Sequence, residues 1–230
     1  MSGFNWSREA EQLWNGHSAN WHARSMDMWE NGSRKEIIPF FEKHLSPPAE
    51  VLDIGCGDGY GSMKLAQHGY SVTGVDFSSE MISIAKGSGE MDNLSFIMGD
   101  VMNLPLKENA ADALMVINCL EWTDDPRQAV HELGRVLKPG GYACIGILGP
   151  TAGPRVKSYP RLNSEPSVCN TMMPWEFVRL AEENNLKPLA EHHVYKDGVT
   201  SGLTGSLSFE LRQALSFLTL FMLQNEKGRK

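Results

Sequence analysis

The sequence predicts an α/β domain in which a mostly parallel sheet is buried between two layers of helices. Three observations carry that reading. Between residues 48 and 150, short apolar runs alternate with amphipathic stretches, the pattern of successive strand-helix units. The runs, at residues 51–54, 72–75, 94–98, 113–117 and 142–148, have lengths that suit strands covered on both faces. The first empties into Gly55-Cys56-Gly57-Asp58-Gly59, where glycines let the backbone bend tightly before a helix.

The intervening helices carry their own start and stop signals. Residues 59–67 hold Tyr60, Met63, Leu65 and Ala66 and stop at Gly69, a residue suited to a left-handed helix end. Ser78 or Ser79 can cap a helix with Met81, Ile82, Ile84 and Ala85, ended by Gly87. Asp125-Pro126 sets a capping carboxylate before a proline at the first helical position, followed by Ala129, Val130, Leu133 and Val136 at helical spacing. Residues 1–46 read as an N-terminal helical cap with four of the six tryptophans, Trp6, Trp14, Trp21 and Trp29, packed on the sheet or roofing a site. Residues 47–230 complete what reads as a single domain. Within them, residues 151–173 contain Pro154, Pro160 and Pro166 with little periodicity, a loop long enough to be functional, such as a lid, or disordered. Pro174 opens a further helix, residues 189–195 and 217–223 read as the last two strands, and residues 224–230 read as a solvated tail.

At 230 residues and 41% hydrophobic, the chain can bury a sizeable core. A net charge of -7 leaves no global basic field for phosphates, so DNA is not an expected partner. The four cysteines form no C-x-x-C pair, which suggests neither a zinc knuckle nor a disulfide framework and suits reduced cytoplasmic thiols. Residues 1–15 contain no apolar signal region, and the longest apolar stretch, 217–223, is far below the ~20 residues of a membrane span. No metal site is expected, since His192 and His193 are adjacent in a strand and point to opposite faces.

The glycine turn is the most informative feature. Gly55 and Gly57 remove the β-carbons that would hold a ligand away, and the following helix start offers unpaired N–H groups. Strand two ends at Gly74-Val75-Asp76, whose carboxylate can accept both hydroxyls of a ribose. Strand three ends at Gly99-Asp100-Val101. Acidic strand ends at Asp53, Asp76 and Asp100 describe a slot for an adenosine without phosphates, because a diphosphate would be repelled there.

These residues resemble the class I S-adenosylmethionine-dependent methyltransferases, close to the small-molecule branch called methyltransferase type 11. The matching motifs are residues 53–59, residues 74–78 with Met81, residues 99–101, and the Leu137-Lys138-Pro139-Gly140-Gly141 turn, together covering about residues 50 to 150. The resemblance implies a Rossmann-like three-layer sandwich with a seven-stranded sheet of order 3-2-1-4-5-7-6, strand seven antiparallel. It implies S-adenosyl-L-methionine as cofactor and a small-molecule acceptor. It also implies roles: Gly55 and Gly57 approach the methionine part, Asp53 helps hold its amino group, Asp76 binds the ribose hydroxyls and Phe77 lies against the adenine. Asp100 accepts from the adenine amino group, the Val101 N–H reaches a ring nitrogen, and Asn118 and Cys119 line the sulfonium side.

Methyl transfer from a sulfonium mainly requires alignment and exclusion of water. If the acceptor must lose a proton, the expected bases are His22 in the cap and Glu121 just past strand four. Arg155, Tyr159 and Arg161 in the proline-bearing loop are expected to face the acceptor. Two other readings stay open: a module that holds S-adenosylmethionine or S-adenosylhomocysteine without catalysis, and an NAD-dependent dehydrogenase. The second fits less well, because Tyr60 stands where the dinucleotide fingerprint wants glycine or alanine. The oligomeric state is left open.

Overall fold

The computed structural model describes residues 4–228, and the expectations touching residues 1–3 and 229–230 lie outside them. The chain runs α1 (Trp6–Glu30), α2 (Ile37–Glu42), β1 (Glu50–Ile54), α3 (Tyr60–Gln67), β2 (Ser71–Asp76), α4 (Ser79–Gly87), β3 (Leu94–Met98) and β4 (Ala111–Ile117). It continues through α5 (Pro126–Val136), β5 (Leu137–Leu148), α6 (Pro174–Glu183), β6 (Leu186–Tyr195), α7 (Ser201–Thr204), α8 (Phe209–Ala214) and β7 (Ser216–Asn225). The seven strands form one sheet of order β3-β2-β1-β4-β5-β7-β6. β1 pairs parallel with β2 and β4, while β7 runs antiparallel to β5 and β6. The expected sheet is thus the observed one.

The period of two along each strand sorts its side chains into the two layers. Leu52 and Ile54 of β1, Leu114 and Val116 of β4, and Phe221 and Leu223 of β7 join the cluster beneath α5 and α6. Their neighbours Val51, Ala113, Met115, Leu220 and Met222 join the opposite cluster, with Ile37 and Phe41 of α2 and Leu65 of α3. The helix starts follow local chemistry: Ser78 Oγ accepts from the Met81 N–H, and Asp125 accepts from the Gln128 N–H.

Three stretches differ from their sequence reading. The Lys138 to Gly141 turn interrupts no strand: β5 is continuous, and the ladder steps from Ala111↔Leu137 to Ala113↔Tyr142 so that the turn loops out. Residues 224–225 are no tail, since β7 extends to Asn225, which is buried and donates to the Leu137 carbonyl at 2.8 Å.

The third is the proline-bearing loop, which contains a 3-10 run, Gly153–Asn163. Arg155 does not hold its guanidinium out to solvent. It is buried, and its guanidinium donates to the carbonyls of Leu148, Gly149 and Met172 at 2.6, 2.9 and 2.8 Å. It therefore clasps both ends of the loop to the end of β5. Arg155→Ala would remove these guanidinium donors, with the Gly149 carbonyl still accepting from the Ala152 N–H, and is expected to destabilise the fold by about 2 to 3 kcal/mol. Chemical denaturation checks this; an unchanged midpoint would contradict the clasp. Tyr159 and Arg161 are exposed. Among the described residues no helix is long and apolar enough to cross a membrane.

Candidate functional site

The parallel strands end at one edge of the sheet, and α1 crosses that edge. Four contacts hold the helix there. Trp6 Nε1 donates to the Trp122 carbonyl at 2.7 Å, and Ser78 Oγ at the start of α4 donates to Asn15 Oδ1 at 2.6 Å. His22 Nδ1 lies 2.8 Å from Asp58 Oδ2, and Ser25 Oγ donates to Asp58 Oδ1 at 2.9 Å. Further along, Trp29 packs on Gly61 of α3, where any β-carbon would collide with the indole. Trp6, Trp14, Trp21 and Trp29 recur at helical spacing and so share one face of α1.

Beneath this roof lies a two-armed cleft. Its arms, of about 90 and 40 Å³, meet at Gly55, Asp76, Phe77, Cys119 and Trp122. The larger arm also touches Asp53, Gly57, Asn118 and Arg34, and Trp14 and Trp21 cover it. The smaller reaches Asp100 and Val101 at the end of β3. All nine residues expected at a cofactor thus line one continuous cleft at the carboxyl ends of the strands, where open α/β sheets bind ligands.

The glycine turn is shaped by the backbone. Gly55 and Gly57 have φ of 74° and 56°, the left-handed region that side chains disfavour. A β-carbon on Gly55 would also come within 2.8 Å of the Cys119 side chain. Asp76 braces the turn: its Oδ2 accepts from the Gly57 N–H and its Oδ1 from the Ser78 N–H, both at 2.9 Å. Burial pushes its carboxyl above the ordinary range, and the N–H groups of Ser78, Gly57 and Phe77 oppose that shift. At the end of β3, Asp100 accepts from the Met102 N–H at 2.9 Å. Asp53 is buried and accepts from Ser62 Oγ at 2.6 Å. Desolvation raises its pKa to about 7, against the Ser62 hydrogen bond and the Arg34 charge. The Cys56 and Cys119 thiols are pushed up by burial, so neither is a thiolate nucleophile at neutral pH.

Neither expected base lies in the cleft. His22 is 53% exposed on its side chain and faces Asp58, which makes it a fastener of α1. Glu121 is fully buried behind the cleft wall; one oxygen accepts from the Leu148 N–H at 2.6 Å and the other has no partner. It ties the turn after β4 to the end of β5.

Arg34 was missed by sequence reasoning. It follows α1, is 7% exposed, and lies 4.8 Å from the Trp21 ring centroid and 5.6 Å from that of Trp29. Burial lowers its pKa to about 10, so it remains a cation at neutral pH. Among the described residues it has no side-chain hydrogen bond or ion pair, although it lines the cleft. Asp58, which fastens α1, was read only as part of the glycine motif. For both residues the useful sequence signal was the tryptophan spacing, which announces a helix packed over the turn.

The cleft suits S-adenosylmethionine. Carboxylates at Asp53 and Asp76 match an ammonium and a pair of hydroxyls, and the Arg34 cation matches a carboxylate. Two further buried groups in the wall, Asn118 Oδ1 and Trp122 Nε1, have no partner in the chain, a costly state that a polar ligand relieves.

Comparison with known proteins points the same way. The chain is 29% identical over 144 residues to malonyl-[acyl-carrier protein] O-methyltransferase of Pectobacterium atrosepticum, covering 63% of this chain and 55% of that protein. It is 33% identical over 141 residues to demethylmenaquinone methyltransferase of Renibacterium salmoninarum, covering 59% of each. The chain therefore spans only about half to three fifths of these curated relatives. In fold it is similar to the methyltransferase solved with the Haloferax volcanii Trm112 methyltransferase activator, at a TM-score of 0.71 and 19% identity, over 97% of this chain and 99% of that one. Residues 52–145 match the family model described as Methyltransferase domain, and the strand order is the one that the resemblance to class I S-adenosylmethionine-dependent methyltransferases implies.

Proposed function

We propose that this protein transfers a methyl group from S-adenosylmethionine to a small-molecule acceptor by in-line displacement. The observation that carries the reading is the two-armed cleft, with acids at the ends of β1, β2 and β3 and an unpaired cation at Arg34. When bound, S-adenosylmethionine supplies a sulfonium-activated methyl group. The chain's residues bind, orient and exclude water. Asp76 takes the ribose hydroxyls, Asp100 and the Val101 N–H take the adenine edge, Phe77 lies against its face, and Asp53 takes the ammonium. Gly55 and Gly57 allow close backbone approach, and Asn118 and Cys119 border the reacting end. The indoles of Trp14, Trp21 and Trp122 close the site from water, and their faces suit a sulfonium cation. The net charge of the chain and the demethylmenaquinone in the name of one relative support a small molecule. We assign neither His22 nor Glu121 the role of base, and catalysis rests on alignment.

Two measurements test this. S-adenosylhomocysteine is expected to raise the melting temperature while NAD does not, because only a ligand that binds the native state stabilises it. Incubation with methyl-labelled donor and a metabolite extract is expected to label a small product. Stabilisation by NAD alone would favour the dehydrogenase; donor binding without any labelled product would favour a binding module.

The titration of Asp53 gives a further expectation. In the free protein the folded pKa is raised to about 7 from 3.8, so the native state holds the proton longer than the unfolded chain. This group's contribution to stability therefore falls as pH rises from about 4 to about 7 and is flat above. The ligand's ammonium favours the ionised carboxylate. Affinity for S-adenosylhomocysteine should accordingly increase as pH rises from about 6 to about 8, with Asp53→Asn flattening the profile. Calorimetry across that range decides it, and an equal slope in the variant would assign the titration elsewhere.

A further inference from the structure

A second concavity, of about 450 Å³, lies between α6, β6 and α8 and shares no lining residue with the donor cleft. This volume falls in the range of small-molecule sites. Its walls are apolar and largely aromatic: Trp175 of α6, Leu189 of β6, Phe209 of α8 and Phe221 of β7. Trp175, Leu189 and Phe209 remain 38%, 44% and 59% exposed, so the groove presents a grouped apolar surface rather than scattered side chains.

The polar groups of this groove have one character. Glu191, Glu210 and Gln213 line it, and no lysine, arginine or histidine does. Arg212 of the same helix donates to the Leu207 carbonyl and lies over the Phe209 ring. Gln213 is 3% exposed, and its Nε2 donates to Glu191 Oε2 at 3.2 Å. That bond fixes which way the amide points, since the reverse would set oxygen against carboxylate. Gln213 Oε1 is consequently a buried acceptor without a partner. The other Glu191 oxygen is held by His193 Nε2 at 3.1 Å, and His193 in turn lies 3.4 Å from Ser216 Oγ. The carboxylate is thus oriented in advance, with an unfilled acceptor beside it and an aromatic wall around it.

We propose that this groove is a second binding site, separate from the donor cleft, for an amine carried on an apolar, aromatic body. The ammonium supplies the donor that Gln213 Oε1 lacks and a positive charge beside the oriented Glu191 carboxylate, Glu210 adds a second opposite charge, and the ring packs against Trp175 and Phe209. The inference does not depend on methyl transfer.

The test is calorimetric titration of the full chain with phenethylamine and with 3-phenylpropionate, an anionic probe of similar size, each with and without saturating S-adenosylhomocysteine. Phenethylamine is expected to bind at least about tenfold more tightly than the acid, consistent with a hydrogen-bonded charge. It should bind equally well when the donor cleft is filled. Glu191→Gln, which keeps the hydrogen-bonding shape, and Phe209→Ala, at an exposed position, should each weaken the amine while leaving S-adenosylhomocysteine affinity unchanged. No amine binding, equal binding of the two probes, displacement by S-adenosylhomocysteine, or indifference to both variants would each overturn the proposal.

Discussion

Replacing Asp76 by alanine is expected to weaken S-adenosylhomocysteine binding by about 2 to 3 kcal/mol, the scale of hydrogen bonds to a charged group. Two losses combine in that figure. The carboxylate is the proposed partner of the ribose hydroxyls, and it also holds the N–H groups of Gly57 and Ser78. The glycine turn loses its brace, so a lower melting temperature should accompany the lost affinity. Asp76→Asn separates the two effects. Its amide oxygen can still accept one N–H, so it should recover part of the stability but little of the ribose recognition. Calorimetry paired with thermal denaturation reads both quantities. Unchanged affinity in a folded Asp76→Ala protein would remove this carboxylate from the site.

For Arg34→Met the expected signature is the opposite pairing: a large loss of binding with little loss of stability. A buried cation without a hydrogen-bonded partner contributes poorly to folding, and a similar-sized apolar side chain is often as good or better in its place. Trp21 and Trp29, which flank the guanidinium, can pack against the methionine. Toward the donor, the cation is proposed to meet the methionine carboxylate, so its removal should cost about 1.5 to 3 kcal/mol in S-adenosylhomocysteine affinity. Adenosine lacks that carboxylate and should bind the variant and the native protein equally. If both ligands lost affinity together, Arg34 would be acting through the shape of the cleft rather than through its charge.

The two residues mark how far the sequence could be read. Asp76 was legible because its place follows from a local pattern: a buried strand ends in Gly74-Val75-Asp76, and parallel neighbours set strand ends side by side. The same reasoning reached Asp53 and Asp100, whose positions depend only on where each strand stops, while Asn118 came from the family resemblance. Helix caps at Ser78 and Asp125 were legible for a similar reason, since a cap is a contact within one turn.

Other features required the tertiary structure, because long-range packing decides them. Arg34 carries no local signal; it reaches the cleft because α1 lies across the sheet edge with Trp29 on Gly61 and His22 and Ser25 on Asp58. His22 looked like a base because it sits in the cap over the sheet edge, and its partner lies 36 positions away. Arg155 looked like an anion binder because loops with arginine often face ligands, yet the carbonyls at the end of β5 claimed its donors first. Thus the strand edge, the glycine turn and the donor acids were determined by the sequence itself, through backbone geometry and short-range spacing. Which charged side chains turn inward to the cleft, and which fasten the roof above it, was decided by packing: a buried charge or hydrogen-bond donor goes to the partner that the fold brings within reach.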